Sequence, residues 1–579
     1  MSLYIAFPMI PFSTIVFYLA VPALIVLLLA RSVYLLFFHP LSSVPGPWYA
    51  AVSSLWITTH VLRLQQCKTI HSLFQEYGPV VRIAPNKVAF CDAGAMKSVY
   101  STYKFDKSDY YKSVLTNDND HAMTTLPAAE HSIRRKAYAS HYTPSNLAKL
   151  QPEIFEVAGQ MINVLNSQPT QTPVDVLSLF KHFSLDVIVA SSYGFRLGSV
   201  GRWAVEAEEA LTVAIGDFPK RGVLRSTVPN WAWNLVCKIP NARFRMLCES
   251  DKIMAEFVSR RVYEMRAQLK PAVLIPGPTI IAPTPSSFSS SPFLSALQSF
   301  GSRCSSRSSS PSPSCSSDSD SSFTEDTEKS YMLPRLLSYK YPSGALMPEL
   351  DVISECMGHM VAGTDTASIS LSYFLWELTR RQDILHKLHA EIDSVMPDPS
   401  VVPDLKVLNG MEYLNAFIKE GLRVYGAVPS LLERVVPSST SKHFLGPEGF
   451  DLMGYALPPG TIVATQAWSM HRDSAVFPSP ETFLPERWLP RRDADADRDA
   501  ERLARMSAQM MAFGTGSRIC GGQNLAYIIM RVVLVTVLRN FDVEAAPGTD
   551  EKTMDMRDSF VMFPAAMECK LQFHPRNPA

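Results

Sequence analysis

From Met1 to Ala30 the chain carries no charged side chain, and the stretch IVFYLAVPALIVLLLA, with the apolar residues before it, is long enough to cross a bilayer. A segment of that kind cannot share a fold with an ordinary water-soluble surface, so it predicts a transmembrane anchor over 1–30. A cleaved signal peptide would have a basic start and a shorter apolar core. Pro22 bends such a helix without forbidding it. Arg31 is the first charge, and a positive flank keeps the chain beyond it on the cytosolic side. Next comes FFHPLSSVPGPW, in which Pro40, Pro45 and Pro47 predict a stiff extended connector over 31–48. The globular body then occupies 49–579.

Within that body the apolar fraction of 47% is ample for a core, and 54 basic residues balance 54 acidic ones. The balance excludes any general attraction to nucleic acid. Nine scattered cysteines include no C-x-x-C pair, which argues against a zinc site or a disulfide framework and places the body in a reducing compartment. Between residues 276 and 330 serine and proline dominate. Such a stretch cannot bury enough apolar surface to offset its ordering entropy, so a disordered insertion is expected there. The polar run RRDADADRDAERLAR predicts a solvated loop or short helix.

Elsewhere the helical period dominates, in LKVLNGMEYLNAFIKEGLRVYG and from Leu350 to Ser394. Strand-like pieces are short: VVRIA, KVAF and TIVATQAW. The expected fold is one mainly α domain with a small β portion, preceded by one transmembrane helix.

Chemistry concentrates near the C-terminus, in FGTGSRICGG. Gly514, Gly516, Gly521 and Gly522 allow a tight turn and close approach to a bulky partner. Cys520 sits two residues after Arg518 and just before an apolar helix, and both neighbours favour a thiolate. A nucleophilic cysteine needs a base, and no histidine is nearby in sequence. A dinucleotide loop needs a third glycine where this run has Ile519. A thiolate open on one face, with a cation for an anionic group, suits an axial haem ligand.

These residues carry a resemblance. Phe513, Gly516, Arg518, Cys520 and Gly522 occupy every fixed position of F-x-x-G-x-R-x-C-x-G, and the chain resembles the cytochrome P-450 family. AGTDTA resembles the family's oxygen-activating groove, with Ala367 where Thr or Ser is usual. There Ala362 and Gly363 leave room above a haem, and the Thr366 hydroxyl bonds a backbone carbonyl and widens the helical turn. Glu420 and Arg423 of KEGLR, with Arg487 of the PERW segment, resemble the structural triad behind the haem. FHPLSSVPGPW and HSIRRK look most like fungal microsomal members.

The resemblance implies haem b with Cys520 on the iron. Phe513, Gly514, Gly516 and Gly522 shape the loop around it, while Arg434, Arg518, His131 and Arg135 face the propionates. Asp365 and Thr366 are implied to deliver protons as one oxygen atom enters a C–H or C=C bond. No flavin or nicotinamide fingerprint is present in the sequence, so NADPH-cytochrome P-450 reductase, or a cytochrome b-type donor, is expected to supply electrons at the endoplasmic reticulum membrane, with a single span and a cytosolic catalytic domain. Met357, Met360, Val361, Val428, Leu431, Leu432, Met562 and Phe563 predict an apolar pocket for a terpenoid, polyketide or fatty acyl substrate, in keeping with fungal secondary metabolism. Two other readings stay open: a haem-thiolate isomerase or dehydratase acting without a reductase, and a non-enzymatic haem-binding sensor or carrier.

Overall fold

The computed structural model describes residues 12–169, 172–203, 210–269, 331–438, 445, 449–491 and 495–576. The serine-rich segment 276–330 lies outside these residues, as do the first eleven residues of the anchor.

Helix α1, Phe12–Val33, runs past Arg31 and continues as a wider turn over Tyr34–Phe38. It stops at His39 because Pro40 disfavours helix in the residue before it. Within it, Ala20–Phe38 is apolar enough to span a membrane and is almost wholly unburied. The connector is more than a spacer. Leu41 and Val44 are buried, and Arg82 donates through Nη1 to the carbonyls of Leu35 and Leu41, while its own amide donates to Pro45 O at 2.7 Å. The anchor is therefore tied to strand β1, Val80–Ala84.

Beyond β1 come α2 (Leu55–Leu62, preceding it in the chain), β2 (Lys87–Phe90), β3 (Asp106–Lys107) and α3 (Ala128–Tyr138). Next are α4 (Val176–Tyr193), α5 (Ala210–Thr227), α6 (Asn230–Val236) and the long α7 (Glu349–Arg380). The C-terminal third holds α8 (Glu412–Tyr425), β4 (Arg434–Val435), β5 (Ile462–Ala464), α9 (Ala496–Gln509), α10 (Gln523–Asn540) and the hairpin β6–β7 (Met556–Ser559, Val561–Pro564). The main sheet has order β1-β2-β5-β4-β3, with only the β2–β5 pair parallel.

Helices make the core, and α4 against α7 is its most extensive contact. Gly363 makes that approach possible, since a Cβ there would lie 2.3 Å from Ile188 Cδ1. Gly421 does the same for α8 on α7, facing Phe374 at 2.3 Å. VVRIA and KVAF form β1 and β2 as expected. TIVATQAW pairs over β5 and again at Gln466, which bridges Leu431, before a short helix at Ala467–Met470, and the Thr465 amide donates to the Tyr100 hydroxyl at 3.0 Å. The polar run after Pro490 becomes α9, capped by Asp495, whose carboxylate accepts from the amides of Asp497 and Arg498.

Candidate active site

The Cys520 loop is held by its own backbone and by α3. The Cys520 amide donates to Phe513 O at 2.8 Å. Gly514 and Gly516 have φ of 72° and 68°, the left-handed region open to glycine. At Gly516 a side chain is also excluded by space, since a Cβ would sit 2.2 Å from Tyr100 O. From the other side Arg135 donates through Nη1 to Ser517 O at 3.2 Å and Ile519 O at 2.7 Å.

Cys520 has the accessible area of an exposed residue, yet burial raises its thiol pKa. The two facts agree if protein surrounds the residue and its open face looks inward. Opposing the burial are the Gly522 amide, the charge of Arg135 and the Gln523 amide, in that order. The helix start behaves as expected. The cation does not: Arg135 acts on the sulfur, whereas Arg518 turns away to donate to the carbonyls of Thr125 and Leu126, both at 2.6 Å.

Arg518 belongs instead to a cluster of like charges. Burial, then the charges of Arg518, Lys107, Arg135 and Arg434, push His131 down to about 2. Burial and Arg434 pull Arg518 down to about 10. Lys107 was not foreseen from the sequence. It is buried and is the direct cross-strand partner of Arg434 in the β3–β4 pair, an arrangement that is unfavourable for like charges. Lys107 Nζ lies 4.1 Å from the centre of the Tyr111 ring, and the Arg434 guanidinium 4.8 Å from that of Tyr100. The nearby Glu433 carboxylate is engaged by Lys87 and by the Ser108 hydroxyl. Arg518 Nε is buried without a partner. A set of buried cations with an orphaned donor fits a doubly anionic group.

On α7, Ala362 keeps exposed area in a helix whose Met360, Thr364 and Asp365 are buried, so one strip of the helix borders an internal hollow. The Thr366 hydroxyl donates to Ala362 O at 2.6 Å. Two expectations need correction. The helix stays α-helical through this bond, so no turn is widened, and Gly363 faces Ile188 of α4, so only Ala362 makes room in the hollow. Asp365, about 100° round the helix from Thr366, points toward α4, with Oδ1 3.4 Å from Lys181 Nζ. Of the apolar residues expected around a substrate, Met357, Met360, Leu431 and Met562 are packed into the core. Val361, Val428, Leu432 and Phe563 keep accessible area.

Behind the loop, Glu420 Oε1 accepts from Arg423 Nη2, Arg487 Nε and the Leu484 amide at 2.8–3.0 Å. Its Oε2 accepts from Arg423 Nε and Trp488 Nε1, both at 2.9 Å. Arg423 Nη1 reaches the His471 carbonyl, and the His471 ring accepts from the Met511 amide at 2.9 Å. The network thus ends two residues before Phe513. Glu420, Arg423, Arg487, Trp488 and His471 are all buried, and the network is structural.

A family profile described as Cytochrome P450 matches residues 43–571. The chain belongs to the cytochrome P450 family. Among curated relatives it is similar to cytochrome P450 monooxygenase orf2 of Aspergillus niger, 25% identical over 519 residues covering 89% of this chain and 88% of the relative. It is 24% identical to tryprostatin B 6-hydroxylase of Aspergillus fumigatus over 538 residues, 91% and 79% of the two chains. With benzoate 4-monooxygenase bphA of Aspergillus niger it shares 23% identity over 548 residues, 91% and 92%. As a cytochrome P450 the protein is a haem-thiolate monooxygenase, with haem held through a cysteine thiolate on iron. An accessible thiol and a cluster of buried cations fit that cofactor.

Proposed function

We propose that Cys520 is the axial thiolate and that Arg434, Arg518, Lys107 and His131 receive the haem propionates. Arg135 adds charge but mainly braces the loop through Ser517 and Ile519. The observation that carries this assignment is the Lys107–Arg434 cross-strand pair, which is explained by an anion lying over that face of the sheet. Haem, when bound, supplies the oxidative chemistry that places one atom of dioxygen in the substrate and reduces the other to water. The chain's own part is to hold, orient and supply protons. Neutral His131 donates a hydrogen bond without adding charge. Thr366 presents its hydroxyl at the hollow, fixed by Ala362 O, and Asp365 takes protons from the α4 side and passes them inward beside Thr366.

Electrons come, in this reading, from NADPH-cytochrome P450 reductase or a cytochrome b-type donor. The enzyme is anchored in the endoplasmic reticulum membrane by its first helix, with the catalytic body in the cytosol. Exposed Leu55 and Leu62 on α2 and Trp231 and Leu235 on α6 add apolar surface outside the anchor and support the membrane reading. The substrate is lipophilic and undergoes hydroxylation or epoxidation, since Val361, Val428 and Leu432 leave apolar area at the site. A tryprostatin B 6-hydroxylase and a benzoate 4-monooxygenase among the relatives support a small-molecule substrate, in keeping with secondary metabolism.

The test is the reduced carbonyl spectrum of wild type and Cys520→Ser. Wild type gives the red-shifted band of a haem thiolate, and the variant loses band and turnover together. A band kept in the variant assigns the ligand elsewhere. Product formation that proceeds without NADPH and reductase replaces the monooxygenase reading with the isomerase one.

A further inference from the structure

A cavity of about 560 Å³ opens between α2, α5 and the β6–β7 hairpin. Its wall is part apolar, from Leu64, Val223, Phe563 and Met567, and part cationic, from Arg63, Lys220 and Arg557. Among the described residues, no carboxylate lines it. A second, small cavity shares Lys220, Phe563 and Met567 with this one and is lined as well by Lys181, Asp365 and Ile369.

Two of these cations share their carboxylates with other basic side chains. Lys220 Nζ lies 3.6 Å from Asp217 Oδ1, but both oxygens of Asp217 already accept from Arg243. Arg557 Nη2 is 3.4 Å from Asp555 Oδ2, while Lys68 takes the other Asp555 oxygen at 2.5 Å. Lys220 is half-buried, with its Nζ 5.9 Å from the centre of the Phe563 ring. Lys220 therefore shares Asp217 with Arg243 and also feels Asp365, Arg557 shares Asp555 with Lys68, and Arg63 adds a further charge at the rim. Exposed Leu62 precedes Arg63 in the chain.

We propose that this cavity is a recognition site for the anionic end of the substrate. The substrate is then an amphipathic carboxylic acid, its head held by Arg63, Lys220 and Arg557 and its apolar body laid along Phe563 toward α7. This rests on the monooxygenase reading above and narrows its substrate class. Charge-assisted contacts of partly exposed groups give a preference rather than an absolute requirement.

The experiment uses the full-length holoenzyme in neutral detergent, with dodecanoate and its methyl ester as probes. Affinity is read by equilibrium dialysis and by the Soret shift. Wild type binds the acid about tenfold more tightly than the ester at low salt, and the preference shrinks as salt rises. Arg63→Gln and Lys220→Gln each lower the acid-to-ester ratio, the double variant brings it close to one, and Lys220→Arg retains it. Equal affinity of wild type for acid and ester, or no binding of the acid, overturns the proposal without needing any variant. So does an unchanged ratio in the double variant. A parallel arm compares vesicles of phosphatidylcholine with and without phosphatidylserine. If the double variant loses its affinity for the anionic vesicles while the acid-to-ester ratio is unchanged, the cations read lipid headgroups and the proposal fails. The reduced carbonyl spectrum of wild type is recorded in the same preparations, so failure of the acid preference with that band intact leaves the monooxygenase reading standing.

Discussion

Arg487 Nε donates to Glu420 Oε1 at 3.0 Å across 67 residues of sequence. The same oxygen accepts from Arg423, so one buried carboxylate is the shared counter-ion of two buried guanidinium groups. Glu420→Gln leaves both cations uncompensated, and removing one partner of a buried ion pair costs about 3–5 kcal/mol. The expected product is protein with little bound haem and a much lower unfolding temperature, checked by haem content per chain and thermal denaturation. Arg487→Lys keeps the charge but loses contacts with the Pro478, Ser479 and Thr482 carbonyls, and falls between that variant and wild type.

His471 predicts a pH effect. Its Nε2 accepts from the Met511 amide, so Nδ1 carries the proton and donates to Arg423 O at 3.0 Å. Burial, with the nearby Arg423 and Arg472 charges, lowers its pKa to about 3. The unfolded chain protonates near 6.5, so between pH 6.5 and 3 the unfolded state binds the extra proton. Stability from this residue is complete above pH 6.5 and declines by about 1 kcal/mol per pH unit as pH falls. Urea unfolding at pH 7 and pH 5.5 measures the slope. His471→Gln is less stable at pH 7 and has the shallower slope.

The glycines of the Cys520 loop are not equivalent. Gly516→Ala drives a Cβ onto Tyr100 backbone and abolishes haem incorporation. Gly514→Ala meets nothing closer than Leu432 Cδ1 at 3.8 Å and suffers only the left-handed strain, about 1–2 kcal/mol. Gly522→Ala has a negative φ and an ordinary contact of 3.7 Å with Tyr142, so it incorporates haem like wild type. Haem content of the three variants gives the order.

Thr366→Ala removes a hydroxyl whose hydrogen bond is internal to α7, so fold, haem spectrum and substrate affinity persist. NADPH is still consumed, but more of it appears as hydrogen peroxide and less as product. An interaction made only in the transition state lowers the productive rate without changing ground-state binding. Product per NADPH, at one reductase ratio, is the measurement, and an unchanged ratio takes Thr366 out of proton delivery.

Truncation is sensitive to its end point. Removing residues 1–33 spares Leu41, Val44 and the Arg82 contacts with the connector, so the body folds and shifts toward the soluble fraction. Removing 1–48 strips buried side chains from the core, Leu35, Leu41 and Val44 among them, and leaves Arg82 without its carbonyl acceptors at Leu35 and Leu41. That cut costs about 2–5 kcal/mol for one buried leucine alone, read as a lower melting temperature.

Much of this protein is legible in contiguous residues. The apolar period marks α7 and α8, VVRIA and KVAF mark β1 and β2, and the spacing of glycines around Cys520 marks the loop and its chemistry, because helix period, strand alternation and turn geometry are properties of neighbours in the chain. The sequence likewise paired Glu420 with Arg423, one helical turn apart. Which face a residue presents to a distant segment was decided only by packing. Lys107 entered the cationic cluster through the β3–β4 register, which sets it beside Arg434 across more than three hundred residues. Arg135 turned to the Ser517 and Ile519 carbonyls because α3 lies against the loop, and Gly363 served the α4–α7 contact instead of the hollow beside Ala362. Periodicity says that a side chain lies on a helix or strand, but its rotation toward one neighbour or another comes from how segments far apart in the chain bury their apolar faces together.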